Sequence, residues 1–400
     1  MSRYRILALL TIAQVGASVV QQGFGVLGPF LIADFGISKA AFGALFSAMV
    51  LGTAGFTALA GALTDKAGER RIIALSSGLM TVALLAAAAF ENFTWLIVTM
   101  FVFGVTYSAQ PMAGTRAVLS WFTRDRAFAM SFRQTGVPLG GMVGALLLPF
   151  IALHFGGYRA ALVVSAALVA IPSAVVVLVY RDPPGGPPRT TRSYGGLLRA
   201  MPELMRDPRL VGLCISGIGL MGLQQATASF LTLTNVSAVG LSPTAAAGTF
   251  AFAQGAAVFG RLFWSWVSDR FLGGERYAIV ASLSLTAAVA ALVIGSLRPG
   301  SHGLVIPAAV LIGLSAAGWN GVFLTAISEI GGHERAGSAL GVTSTVIFGA
   351  SALTPGTFGL IAEHTSLAIA WYAFAGLAFL GVIPPIWLFA TRMEGKPQKP

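Results

Sequence analysis

Residues 61–71 read GALTDKAGERR, a charged turn between two long apolar runs. Five of these residues ionise: Asp65, Lys66, Glu69, Arg70 and Arg71. Residues 40–63 before the turn and 72–90 after it contain no Asp, Glu, Lys or Arg. Each run is about the 20 residues needed to cross a bilayer. A lipid-embedded chain must satisfy its own backbone polar groups, and for runs of this length that means helices. The turn therefore joins two membrane helices, and the fold class follows: an all-α membrane protein.

The rest of the chain repeats this arrangement. Its 400 residues are 56% hydrophobic and 10% charged, with mean hydropathy +0.81. A soluble domain carries about 25% charged residues, so a water-soluble function is excluded. Spans are predicted at about 6–30, 40–63, 71–90, 94–121, 127–153 and 159–180, then at about 209–233, 245–268, 277–297, 303–328, 336–361 and 367–390. The first run follows Arg3 and Arg5, is too long for a signal-peptide core and lacks a convincing cleavage site, so it is expected to be a retained helix.

Charge orients these spans. The net charge of +11 would suit nucleic acid, but the cations follow membrane topology instead. One set of loops, with both termini, holds 19 of the 25 Lys and Arg residues. The opposite loops hold three: Lys39, Arg159 and Arg298. A miscounted helix would scramble that alternation. Both termini are expected in the cytoplasm of a multi-pass protein of the bacterial inner membrane. The remaining three cations, Arg116, Arg133 and Arg261, fall inside spans. The single cysteine, Cys214, lies in an apolar run, permits no intramolecular disulfide and reads as packing.

Residues 182–193, DPPGGPPRTTRS, form a Pro/Gly linker, and 194–206 fit a short surface helix. The expected units are a six-helix bundle over 1–181, a cytoplasmic linker over 182–208, a second bundle over 209–391 and a tail over 392–400. The halves repeat weakly. Gly61-x-x-x-Asp65-Lys66 matches Ser265-x-x-x-Asp269-Arg270, and Gln21-Gln22 matches Gln224-Gln225. Two pseudo-symmetric bundles around a central cavity follow from that repeat.

GALTDKAGERR resembles the signature between helices two and three of the major facilitator superfamily, G-x-L-x-D-R-x-G-R-K/R-K/R. Gly61, Leu63, Asp65, Gly68, Arg70 and Arg71 match, Lys66 replaces arginine, and Glu69 departs from the usual cation. A narrower resemblance joins two segments to the monocarboxylate and oxalate–formate antiporter-like group: WFTRDRAFAMSFRQTGVPLGG (121–141) and GRLFWSWVSDR (260–270). In that group an arginine eight residues before the acidic loop position binds the substrate carboxylate; Arg261 stands eight before Asp269. Two departures break the carry-over of coupling. Ala257 stands where monocarboxylate transporters often carry aspartate, and helix eleven has no lysine. The resemblance implies a secondary transporter working by alternating access, with no cofactor, metal or catalytic residue. Its expected partners are a small anionic substrate, the lipid bilayer and, for coupling, protons. It is expected to act as a monomer.

A charge inside a span costs at least about 2.5 kcal/mol and marks a functional position by default. Here all three such charges are arginines, while the acids sit in loops or near span ends. Guanidinium geometry suits carboxylate or phosphate. The expected substrate contacts are Arg261, Arg116 and Arg133, with Gln254, Gln21, Gln225 and Asn320 orienting the substrate or joining helices. Gln254, Arg261, Ser265 and Ser268 share one helical face, opposite Phe259, Leu262, Phe263 and Trp266. Arg133 shares a face with Gly140 and Gly144, near Gly136, so it faces protein, as a contact or as a packing or gating residue. The expected conformational positions are Gly61, Asp65, Gly68, Arg70, Asp269 and Arg270, with Gly136, Pro138 and Gly140 of an antiporter-like motif. That motif and the aromatic content keep a multidrug or metabolite efflux antiporter as the alternative. No HExxH or GxSxG motif points to an enzyme.

Overall fold

The computed structural model describes residues 3–122, 125–180 and 201–394, and all regular structure among them is helical. The expected linker and tail lie largely outside the described residues, as does the expected surface helix apart from its last six residues.

The first apolar stretch comprises α1 (Arg3–Gly23), a 3₁₀ turn (Phe24–Leu27) and α2 (Gly28–Phe35). Next come α3 (Lys39–Ala67) and α4 (Glu69–Ala89). The fourth stretch is broken into α5 (Phe93–Tyr107) and α6 (Ala109–Trp121), the fifth into α7 (Arg126–Gln134) and α8 (Gly136–His154), and α9 (Gly157–Val179) completes the half. The second half holds α10 (Pro208–Thr234) with a π turn (Asn235–Val239), α11 (Pro243–Phe271) and α12 (Tyr277–Ser296). After α13 (His302–Ile312) and a π turn (Gly313–Ala317), α14 (Asn320–His364) is one helical run holding parts of two apolar stretches, which meet between Gly331 and Gly337. Then come α15 (Leu367–Leu380) and α16 (Ile383–Glu394).

Eleven stretches among the described residues are long and apolar enough to cross a membrane. The twelfth expected span is α11, 29 residues long. It is less apolar because Thr249, Gln254, Arg261, Ser265 and Ser268 interrupt it.

Helix starts differ between the two ends of the molecule. Ser38, Asn92, Ser242 and Ser366 cap α3, α5, α11 and α15 by accepting a backbone N–H three residues on. All four lie at the low-charge end. At the cation-rich end Glu69 and Asp207 stand at the starts of α4 and α10. Large apolar side chains face outward along the spans, among them Leu59, Val82, Ile171, Leu178 and Phe259, as lipid contact requires.

Within the first half α1 packs on α8, α3 on α5 and α4 on α9; within the second, α10 packs on α14 and α12 on α15. The halves meet where α3 packs on α14, α8 on α11 and the 3₁₀ turn on α10. The α3–α14 contact sits at the low-charge end. A Cβ on Gly43 would overlap the Pro355 carbonyl, so only glycine allows that approach. The Gly356 N–H donates to Ser47 Oγ (2.9 Å) and the Lys39 N–H to Glu363 Oε2 (2.9 Å). Across the seam Phe42 meets Phe230 edge to face, and Phe230 stacks on Phe358. Further along, Gly55 and Gly61 of α3 and Gly349 of α14 have open space around them. The α3–α14 contact is therefore tightest at the low-charge end.

Candidate functional site

Two prolines create the site. Pro111 has no N–H to give the carbonyl of Tyr107, four residues back, and the helix breaks at Ser108 between α5 and α6. Pro138 likewise leaves the carbonyl of Gln134 without its helical donor, at the α7–α8 break. Arg133 and Arg261 gather at these breaks.

Arg133 is 1% exposed. Its guanidinium donates to Gln14 Oε1 (2.9 Å), Thr115 Oγ1 (3.0 Å) and the Pro111 carbonyl (3.2 Å), and its Nε–H has no acceptor. Gly114 makes room for it: a Cβ there would stand 2.7 Å from a guanidinium nitrogen. Arg133 donates only, so the Gln14 atom facing it is the oxygen. The Gln14 amide then donates to Ser18 Oγ (3.0 Å) and Tyr107 Oη (3.2 Å).

Arg261 comes from the other half. It donates to the Gln134 carbonyl vacated by Pro138 (3.0 Å) and to the Ala317 carbonyl at the π turn of the tenth stretch (3.2 Å). Trp264 uses a second carbonyl of the same turn, Leu314 (2.9 Å). Tyr107, 4% exposed, ends α5 at the first of these breaks. Every hydrogen-bond acceptor of Arg133 and Arg261 among the described residues is neutral. By contrast Arg3, Arg116, Arg159, Arg209, Arg276 and Arg335 each meet a carboxylate.

Glutamines extend the site along the seam. Gln254 of α11 is buried over Gly141 of α8 and donates to Gln22 (3.4 Å), which donates to Gln21 (2.8 Å). On α11 Phe259, Leu262 and Trp266 face outward as expected, while Phe263 is half-buried. Gly136, Gly140 and Gly144 pack on α1, and Pro138 is buried beside them. Gln225 is buried in α10, and Asn320 begins α14 beside Trp319, whose indole donates to Gln224 (3.1 Å). Among the described residues no hydrogen bond joins Gln225 or Asn320 to the arginines.

Arg116, expected among the substrate contacts, is engaged elsewhere. It pairs with Asp65 and with Glu69 (3.0 Å), and Ser120 also donates to Glu69 (3.1 Å). Glu69, the departure from the signature, is thus the buried partner of a cation on α6. Gly68 turns the chain at φ +86° and Arg70 donates to the Val177 carbonyl (2.7 Å). The second half mirrors this cluster with the charges exchanged. Asp269 occupies the place of Asp65, but the start of α12 supplies the cation, Arg276, and α14 the second acid, Glu329 (2.6 and 3.3 Å). Arg270 is exposed. Sequence reasoning missed Tyr107 and Thr115; the run Tyr107-Ser108-Ala109-Gln110-Pro111, polar within a span and ending in proline, was the available signal.

Residues 10–355 match the family model of the Major Facilitator Superfamily. The chain belongs to that superfamily. It is 28% identical over 342 residues to an uncharacterised MFS-type transporter of Mycobacterium tuberculosis (Rv2994), covering 85% of this chain and 75% of the relative. Shorter likenesses join it to a gallate transporter of Pseudomonas putida (28% over 152 residues, 38% of this chain and 33% of the relative) and to the 4-hydroxybenzoate transporter PcaK of Pseudomonas aeruginosa (27% over 191 residues, 45% and 42%). Among solved structures it resembles a point mutant of the nucleoside transporter NupG (TM-score 0.79, 16% identity, 96% of this chain and 100% of that one), and a bacterial homologue of the lysosomal transporter Spinster (0.78, 16%, 98% of each). These likenesses show the fold: a multi-pass membrane transporter of the superfamily.

Proposed function

We propose that this superfamily member is a secondary transporter of a small organic anion, a carboxylate, with Arg261 as the principal contact. The observation that carries the reading is the pair of intramembrane arginines with only neutral partners, brought together at the helix breaks. A buried guanidinium without a counter-charge is costly, and an anion supplies the missing charge. Gallate and 4-hydroxybenzoate, named for two relatives, are carboxylates of this class. The pattern around Arg261 fits the monocarboxylate-type group for the same reason. Arg133, enclosed by protein, acts behind the wall of the site.

Alternating access would use residues 1–181 and 209–391 as two six-helix bundles, with α11 as the eighth of twelve spans. The cation-rich end is then cytoplasmic and the described state is open inward. Efflux of lipophilic cations fits less well, since neither arginine has a carboxylate acceptor. Proteoliposomes preloaded with benzoate, lactate or succinate test the reading by counterflow of the labelled acid. Exchange in the wild type that is lost in Arg261→Ala supports it; exchange of cationic drugs with none of any carboxylate overturns it.

A further inference from the structure

The hydrogen-bond network around Tyr107 has one proton left over. Gln14 is oriented by Arg133, so its amide nitrogen must face Ser18 and Tyr107. Each hydroxyl oxygen therefore already accepts one bond. Ser18 Oγ and Tyr107 Oη are also 3.2 Å apart, and one donates to the other. Ser18 is fully buried against Gly140, and among the described residues Tyr107 is the only acceptor within reach of its hydroxyl. A buried hydroxyl proton without an acceptor costs about 1–3 kcal/mol. With Ser18 as donor, Tyr107 accepts twice and the proton left over is its own O–H; with Tyr107 as donor it is that of Ser18, which is 0% exposed against 4% for Tyr107. Tyr107 ends α5 at one break, and Arg261 of the other half donates to the Gln134 carbonyl at the second break, next in sequence to Arg133.

We propose that Tyr107 is a further substrate contact, its O–H donating to the anion held by Arg261, and that Arg133 is a positioning residue acting through Gln14. The inference rests on the anion reading above. It assigns Arg133 a task its burial permits: fixing the Gln14 amide so that the tyrosine proton stays free for cargo. The site would then prefer anions that accept two converging bonds, from a guanidinium and from a hydroxyl.

The test is calorimetric titration of the purified protein with benzoate, lactate, succinate and formate, alongside thermal melting without ligand. Tyr107→Phe removes the donor, and we expect affinity for the bound acid to fall about tenfold. Gln14→Glu keeps the shape and gives Arg133 a counter-charge, but offers no N–H. Tyr107 or Ser18 must then donate to it, so the tyrosine proton is no longer reserved for cargo. We expect a similar loss of affinity with no drop in melting temperature, and no further loss in the double variant. A merely structural role would lower melting temperature and affinity together. Wild-type affinity in Tyr107→Phe, with binding still abolished by Arg261→Ala, overturns the role of Tyr107 alone. No binding of any of the four acids to the wild type overturns the anion reading and this inference with it.

Discussion

Arg116 and Arg261 are both intramembrane arginines, yet their partners separate their roles. Arg116 holds two carboxylates, one of them, Glu69, only 5% exposed. Removing the cation leaves that acid buried and unpaired, so Arg116→Ala should cost about 3 kcal/mol, read as a lower melting temperature in detergent. A melting temperature equal to wild type would contradict the pairing. Arg261 holds only carbonyls, so its loss should cost binding more than stability. Arg261→Lys keeps the charge and loses the planar fork; carboxylate affinity should drop about tenfold by calorimetry, with alanine worse still. Equal affinity for lysine and arginine would show that charge alone suffices.

Between elements, the two charge clusters show what a repeat preserves. The end of α3 with the starts of α4 and α6 matches the end of α11 with the start of α12 and α14. What recurs is a cation between two acids, while the element carrying the cation changes. The double exchange Glu69→Arg with Arg116→Glu gives the first half the order of the second. It should recover at least half the melting-temperature loss of either single change. Failure to recover would mean the clusters differ by more than charge order. Pro138 acts on the same scale. Pro138→Ala restores an N–H that competes with Arg261 for the Gln134 carbonyl, so a carboxylate should bind about two- to fivefold tighter. Unchanged binding would place that cross-half bond outside the binding equilibrium. Most spans and the turn motif were legible in the sequence because hydropathy and charge are local properties. The Arg133 face was legible from helical spacing. The partners of Arg116 and Arg261 were not, because they depend on where prolines and π turns free a carbonyl, and on which helix lies opposite.

At the scale of the molecule, the α3–α14 seam is tightest at the low-charge end. The seam at Gly43 and Pro355 leaves no room for a side chain, whereas Gly55 and Gly349 face open space. Gly43→Leu should hold the low-charge end apart and abolish transport, while the protein still folds. With Cys214 replaced by serine, Gly55→Cys and Gly349→Cys should resist cross-linking in this state and become bridgeable only when the cation-rich end closes. One core cluster runs through both halves, from Leu31 and Phe42 to Leu210 and Leu388, and a separate first-half cluster surrounds Ile6, Ile73 and Phe122.

The central claim is that an anion completes the charge of the two arginines. It is tested most directly by thermal stabilisation of the purified protein with carboxylates, phosphates, sugars and lipophilic cations, repeated in Arg261→Ala. The account predicts a carboxylate that stabilises the wild type and fails to stabilise the variant. Stabilisation by lipophilic cations alone, undiminished in Arg261→Ala, would contradict it.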